Sequence, residues 1–152
     1  MEYENIASMN KALSRINGLY QKWCQSHTVN MYLLKVLYAL YMEPDLQQKE
    51  LSRNYQIPSQ TVNNAIQNLK KSGYIELKQD EQDKRRKKIS FTDTGMEYAK
   101  EVLAPMLELD QNIASRLGSE KFGQLTALLY AYGDALEQET AFNTLGGSKH
   151  DL

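Results

Sequence analysis

The chain has 152 residues, 18 Lys and Arg against 19 Asp and Glu, and a formal net charge of −1, with 41% hydrophobic and 24% charged residues. This is ordinary soluble composition and enough chain for one domain with a real core, but not for two large ones. A single cysteine excludes an intramolecular disulfide framework, the longest apolar run (Val36–Met42) is too short to span a membrane, and the acidic opening Met1-Glu2-Tyr3-Glu4 lacks a signal core, so a cytoplasmic location is expected.

Ile6, Met9, Leu13, Ile16, Tyr20 and Trp23 recur at three and four residues, which predicts an amphipathic helix over Glu4–Gln25. That helix has no hairpin partner in sequence, so its stripe must cover something distant or a second chain. Ser26-His27-Thr28 breaks it, with Thr28 the expected N-cap of the next helix. From Val29 to Met42, Leu33, Leu34, Val36, Leu37 and Leu40 cover much of the circumference, which predicts the most buried helix. Pro44 ends it by disfavouring helical geometry at Glu43.

A short helical run, Leu46–Tyr55, precedes a break at Gln56-Ile57-Pro58. Ser59–Ser72 then repeats Val62, Ala65, Ile66 and Leu69 on one helical face, and Gly73 stops it in the left-handed C′ conformation. Its outer face carries Gln60, Thr61, Asn63, Asn64, Gln67, Asn68, Lys70 and Lys71. Asn and Thr are weak helix formers, so this face gives up local propensity. Amide side chains can bond adenine bidentately in the major groove, whereas a merely solvated helix would favour Glu and Lys.

Ile75 and Leu77 alternate in one strand and Ile89 and Phe91 in another, around the tip Asp83-Lys84-Arg85-Arg86-Lys87-Lys88. The result is a hairpin wing beside a helix-turn-helix. Thr92-Asp93-Thr94 caps a long helix from Asp93 to Leu117 that contains Pro105. Gly118-Ser119 separates it from a last helix with Phe122, Leu125, Leu128, Leu129, Tyr132 and Leu136. Residues 144–152 are polar and expected to form a frayed tail. The fold class is therefore mainly α with a small β-hairpin. It comprises a winged helix-turn-helix over about 29–92 within a single 1–152 domain, with dimerisation helices over about 3–25 and 93–142.

Charge is unevenly placed. Lys49–Thr92 holds ten Lys and Arg against five Asp and Glu, while the rest holds eight against fourteen. A basic face on an acidic body suits double-stranded DNA and confines it to that face. The apolar stripes of the first and last helices exceed what a winged domain can cover, and a two-fold homodimer is the economical solution.

Asp83-Lys84-Arg85 followed by Ile89-Ser90-Phe91-Thr92-Asp93-Thr94-Gly95 resembles the wing signature of the multiple antibiotic resistance regulator (MarR) family, with Phe91 where leucine is usual. Ser59-Gln60-Thr61-Val62 and Leu69-Lys70-Lys71-Ser72-Gly73-Tyr74-Ile75 are similar to its recognition helix and exit. The resemblance implies a homodimeric, ligand-responsive transcription regulator on a near-palindromic operator. Carried over by position, Arg85 enters the minor groove and Asp83 orients it. Ser59, Gln60, Thr61, Asn63 and Asn64 are the groove contacts, Asn64 standing where many relatives have arginine. Asn68 extends that face, while Lys70, Lys71, Arg86, Lys87 and Lys88 meet phosphates, which position without reading sequence.

The resemblance also implies an effector site near Trp23, Tyr32, Tyr38 and Tyr41, suited to a small aromatic or lipophilic ligand. Tyrosines at helical spacing are more often ordinary core. Cys24 is the candidate for an alternative, redox-sensing regulator, although a reactive thiol needs exposure and a lowered pKa. Cys24 and His27 lack the spacing of a zinc site, so no metal or other cofactor is expected. Without a phosphate loop, a nucleophile elbow or a His–carboxylate constellation, an enzyme is not expected either. A winged-helix protein-interaction module is the remaining alternative, disfavoured by the basic wing.

Overall fold

The structure, a computed structural model, describes residues 2–80, 83 and 86–146. Its elements are α1 (Glu2–Ser26), α2 (Met31–Met42), α3 (Gln48–Tyr55), α4 (Ser59–Lys71), β1 (Ile75–Gln79), β2 (Lys87–Phe91), α5 (Asp93–Leu117) and α6 (Ser119–Gly146). The chain divides into two compact units, Met1–Ala104 and Pro105–Leu152, the division falling at Pro105 inside α5.

In the first unit α2 is the centre of the core. Its Leu34, Val36, Leu37, Ala39 and Leu40 are buried, joined by Leu51 of α3, Val62, Ile66 and Leu69 of α4, and Ala99 and Leu103 of α5. No polar or charged side chain is buried among the described residues. The cap of α2 differs from expectation. Asn30, not Thr28, caps it, its Oδ1 accepting from the amides of Tyr32 (2.9 Å) and Leu33 (3.1 Å). Thr28 instead takes φ +54° just past α1, where its amide bonds Gln25 and the Val29 amide bonds Cys24. This is a Schellman ending with a β-branched residue in the left-handed region, a strained choice.

α4 ends as its sequence predicts. Gly73 has φ +74°, its amide bonds the Lys70 carbonyl at 3.0 Å, and the Tyr74 amide bonds that of Leu69 at 2.9 Å. β1 and β2 pair antiparallel with Ile75 opposite Phe91 and Leu77 opposite Ile89, so the predicted alternations meet on one face. The other face sets Lys78 opposite Lys88, a like-charge pair relieved by two carboxylates. Lys78 reaches Glu76 at 2.7 Å and Lys88 reaches Asp80 at 3.4 Å.

Thr92 closes the base of the hairpin. Its Oγ1 donates to the Gly73 carbonyl (2.7 Å) and accepts from the Gly95 amide (3.0 Å), while its amide bonds Tyr74 (3.0 Å). Gly95 is required by space: a Cβ there would lie 1.7 Å from the Tyr74 carbonyl oxygen. α1 turns Ile6, Ile16 and Leu19 to solvent, each about half exposed at 50%, 49% and 54%.

The second unit holds the rest of α5 and all of α6, which runs to Gly146, so Thr144 and Gly146 are helical where a tail was expected. Residues 147–152 lie outside the described residues. Phe122, Leu125, Leu129, Tyr132 and Leu136 form an exposed row along α6, with Leu128 and Tyr130 exposed beside it. Among the described residues no helix is long and apolar enough to cross a membrane.

Candidate nucleic-acid interface

At 3.6 residues per turn, Gln60, Asn64, Gln67 and Lys71 fall opposite the buried Val62, Ile66 and Leu69 and form the crest of α4. All four are exposed. Asn63 lies on the flank toward α3, where its Oδ1 accepts from Gln48 Nε2 at 3.4 Å. Thr61 and Asn68 lie on the opposite flank, toward α2. Gln60 Nε2 donates to Asn64 Oδ1 at 3.0 Å, one turn apart on the crest. Ser59 is held from below, its hydroxyl 3.1 Å from that of Ser52, which in turn donates to the Ile57 carbonyl at 2.7 Å.

Beside this crest, a groove of about 800 Å³ separates α3 from the wing. Gln47, Gln48, Lys49, Glu50, Arg53, Arg86 and Lys87 line it. A backbone contact holds the two walls together: the Ile89 amide bonds the Leu46 carbonyl at 3.0 Å, and Gln47 pairs with Lys88 as an isolated bridge. The wing is thereby fixed to the start of α3. At that start Glu50 accepts from the Gln47 amide at 2.7 Å. Four of the seven described lining residues are cations against one carboxylate, a charge balance of the kind that suits a phosphate backbone.

The wing cations are not equivalent. Arg86 Nε lies 3.3 Å from Asp83 Oδ2, and Lys88 is shared with Asp80, so two of the expected phosphate contacts already face carboxylates. Lys87 is exposed on the groove. Asp83, expected to orient Arg85, is seen beside Arg86; Lys84 and Arg85 lie outside the described residues. Lys70 and Lys71 are exposed in the last turn of α4, where they also suit the helix dipole.

Of the four aromatic effector candidates, Tyr32 is the one among the described lining residues of a cavity. Tyr32 lines a cavity of about 360 Å³ together with Asn30, Leu33, Thr61, Asn64, Ala65, Asn68, Leu69, Ser72, Tyr74 and Tyr98. Tyr74 and Tyr98 stack there at 4.2 Å with an interplanar angle of 10°. Burial, and secondarily Tyr74 and Glu101, push the Tyr98 phenol up, so it stays protonated and able to donate. Trp23 stacks on His27 at 4.1 Å, and Tyr38 and Tyr41 are half-buried along α2.

Cys24 is buried, its thiol 3.8 Å from Met31 Sδ, and burial pushes its pKa up, opposite to the shift that makes a thiolate nucleophile. His27 is a helix-end residue, its Nδ1 2.9 Å from the Trp23 carbonyl. Among the described residues no group of three His, Cys, Asp or Glu could hold a metal ion.

Sequence reasoning passed over Gln48, Lys49, Arg53 and Gln67 as site residues. Gln67 shared the period of the crest and could have been included. Lys49 and Arg53 became part of a basic groove through the Leu46–Ile89 pairing, a contact between distant segments that no local pattern signals.

A family model described as "MarR family" matches residues 34–86, the stretch from α2 to the wing tip. The chain is similar to NMB1585, a MarR family regulator from Neisseria meningitidis, at 27% identity and TM-score 0.80, covering 91% of this chain and 98% of that one. Staphylococcus aureus MepR in its DNA complex shares the fold at 24% identity and TM-score 0.61 over 82% of this chain and 96% of its own. So does the Streptomyces coelicolor regulator PcaV, solved with its natural ligand, at 20% identity and TM-score 0.63 over 82% and 91%. No curated protein is significantly similar in sequence. Residues 34–86 thus carry the sequence pattern of the MarR family, in a chain that folds as MarR family regulators do.

Proposed function

We propose that this chain is a sequence-specific DNA-binding transcription regulator, acting as a homodimeric, ligand-responsive repressor on a near-palindromic operator. The observation that carries the reading is the amide crest of α4 beside the cationic α3–wing groove, within the stretch that matches the family. In this reading the N-terminal part of α4 enters the major groove and Lys49, Arg53 and Lys87 meet phosphates. Arg85 takes the minor groove. MepR, with the same fold, has been solved on DNA, which supports the carry-over.

Dimerisation is supported by the uncovered apolar rows of α1 and α6. Each large apolar side chain removed from water contributes about 1.5–3 kcal/mol, so a second copy is the natural cover. Two copies would then address half-sites about one helical turn, roughly 34 Å, apart. An effector has a candidate seat in the Tyr32–Tyr74–Tyr98 cavity, whose aromatic walls and amide and hydroxyl lining suit a small aromatic ligand. PcaV, of like fold, takes a ligand of its own. The raised pKa of Cys24 gives the redox alternative less weight, and the cationic groove does the same for a protein-interaction module.

A mobility-shift titration on DNA upstream of the protein's own gene tests the reading. Binding should retard the DNA, weaken steeply with salt because several phosphates are neutralised, and reverse with an effector. Absence of any retardation at low salt would overturn it. A promoter–reporter assay with the coding sequence deleted should show raised expression; lowered expression would make the protein an activator.

A further inference from the structure

We infer that Gln48 of α3 joins Gln60, Asn63 and Asn64 of α4 in one amide array that reads A·T base pairs in the major groove of each half-site. The inference rests on the DNA-binding reading above and goes beyond it by naming what is read and by assigning Gln48 a part. Two side-chain pairs carry it: Gln60 Nε2 to Asn64 Oδ1 at 3.0 Å and Gln48 Nε2 to Asn63 Oδ1 at 3.4 Å. Each bond uses one donor and one acceptor internally and leaves a complementary donor and acceptor on the pair. The Gln60–Asn64 pair keeps the Gln60 carbonyl oxygen as acceptor and the Asn64 amide as donor. Adenine presents the matching pattern, an N6 donor and an N7 acceptor.

Guanine asks for something else. Its major-groove edge offers two acceptors, O6 and N7, which are met by the paired donors of arginine or lysine. In α4 the cations are Lys70 and Lys71, in the last turn, whereas base contacts come from the first turns of a recognition helix. The first turns carry Ser59, Gln60, Thr61, Asn63 and Asn64. Ser59 is drawn toward Ser52 beneath it, so the amides stand forward. Thr61 is half-buried on the α2 flank. Gln48 is exposed on α3 among the residues that line the cationic groove, where a bound phosphate backbone would bring it against the same base pairs. Its bond to Asn63 also fixes which way that amide faces.

The test begins with selection of bound sequences from random duplex DNA by the full chain. Half-sites should carry A·T pairs at the central read positions. Those pairs are then replaced by inosine·cytosine, which keeps an A·T-like minor groove but has the major-groove edge of G·C. In parallel they are replaced by diaminopurine·thymine, which does the reverse. Affinity should fall about tenfold or more with inosine and stay within about threefold with diaminopurine. The opposite ranking would overturn the inference, as would selection of G·C at these positions; both leave DNA binding itself standing. Failure to select any sequence would remove the DNA-binding reading along with it. Gln48→Ala should broaden base preference at one position per half-site while the salt dependence is unchanged. An unchanged preference profile would remove Gln48 from the array.

Discussion

α4 and α6 are both helices with a solvent-exposed face, and the faces have opposite chemistry. α4 buries Val62, Ile66 and Leu69 and turns amides outward, while α6 turns Leu125, Leu128, Leu129, Tyr132 and Leu136 outward. A helix left to water would choose neither surface. Amides sacrifice helix propensity, and exposed leucines leave apolar area in solvent. Under the proposed reading each departure answers to a partner of its own: one with hydrogen-bonding edges for α4, another apolar surface for α6.

The largest break in that comparison comes from α6. Leu125→Asp with Leu129→Asp should convert a dimer to single chains in sedimentation equilibrium and abolish tight binding to a two-half-site operator. A dimeric mass with both aspartates present would show that α6 is not the interface. Next is Gly95→Ala. It acts on the support of α4 rather than on its face, forcing a Cβ into the Tyr74 carbonyl. A loss of about 2–3 kcal/mol in denaturant unfolding is expected; a change under about 0.5 kcal/mol would mean that α5 shifts freely at its first turn.

The face of α4 should respond more selectively. Asn64→Ala is expected to cost about 1–3 kcal/mol on the operator and little on scrambled DNA, measured by competition. Equal losses on both would make Asn64 a backbone contact. The smallest effect belongs to the groove. Lys49→Ala or Arg53→Ala should weaken all DNA alike and reduce the salt slope by about one. An unchanged slope would take that residue off the phosphate path.

What the sequence disclosed follows the range of its signals. Val62, Ala65, Ile66 and Leu69 announced α4 by their spacing, Gly73 its end, and Ile75, Leu77, Ile89 and Phe91 a hairpin whose register sets like residues opposite one another. These are effects of neighbours in the chain. The cap of α2 was misassigned because Thr28 and Asn30 are both capping residues two positions apart. The choice between them depends on how α1 ends, through the Val29–Cys24 bond. The Leu46–Ile89 pairing, the Tyr74–Tyr98 stack and the Lys88–Asp80 ion pair join segments far apart or set by the turn, and composition carries no trace of them. The candidate site divides in the same way. Its α4 residues were legible from periodicity, while the wall supplied by Lys49 and Arg53 became visible only once the wing was seen tied to α3.

The closure at Thr92 has a consequence for how such a protein can change. With Gly73, Tyr74, Thr92 and Gly95 locked at the base, the exit of α4 and the entry of α5 are set without help from the tip of the hairpin. Lengthening a loop that is already closed costs little, only about 0.6 kcal/mol per doubling. On the proposed reading the tip is an interchangeable part: a change in its length or charge would retune what it meets on DNA while the scaffold beneath keeps its shape.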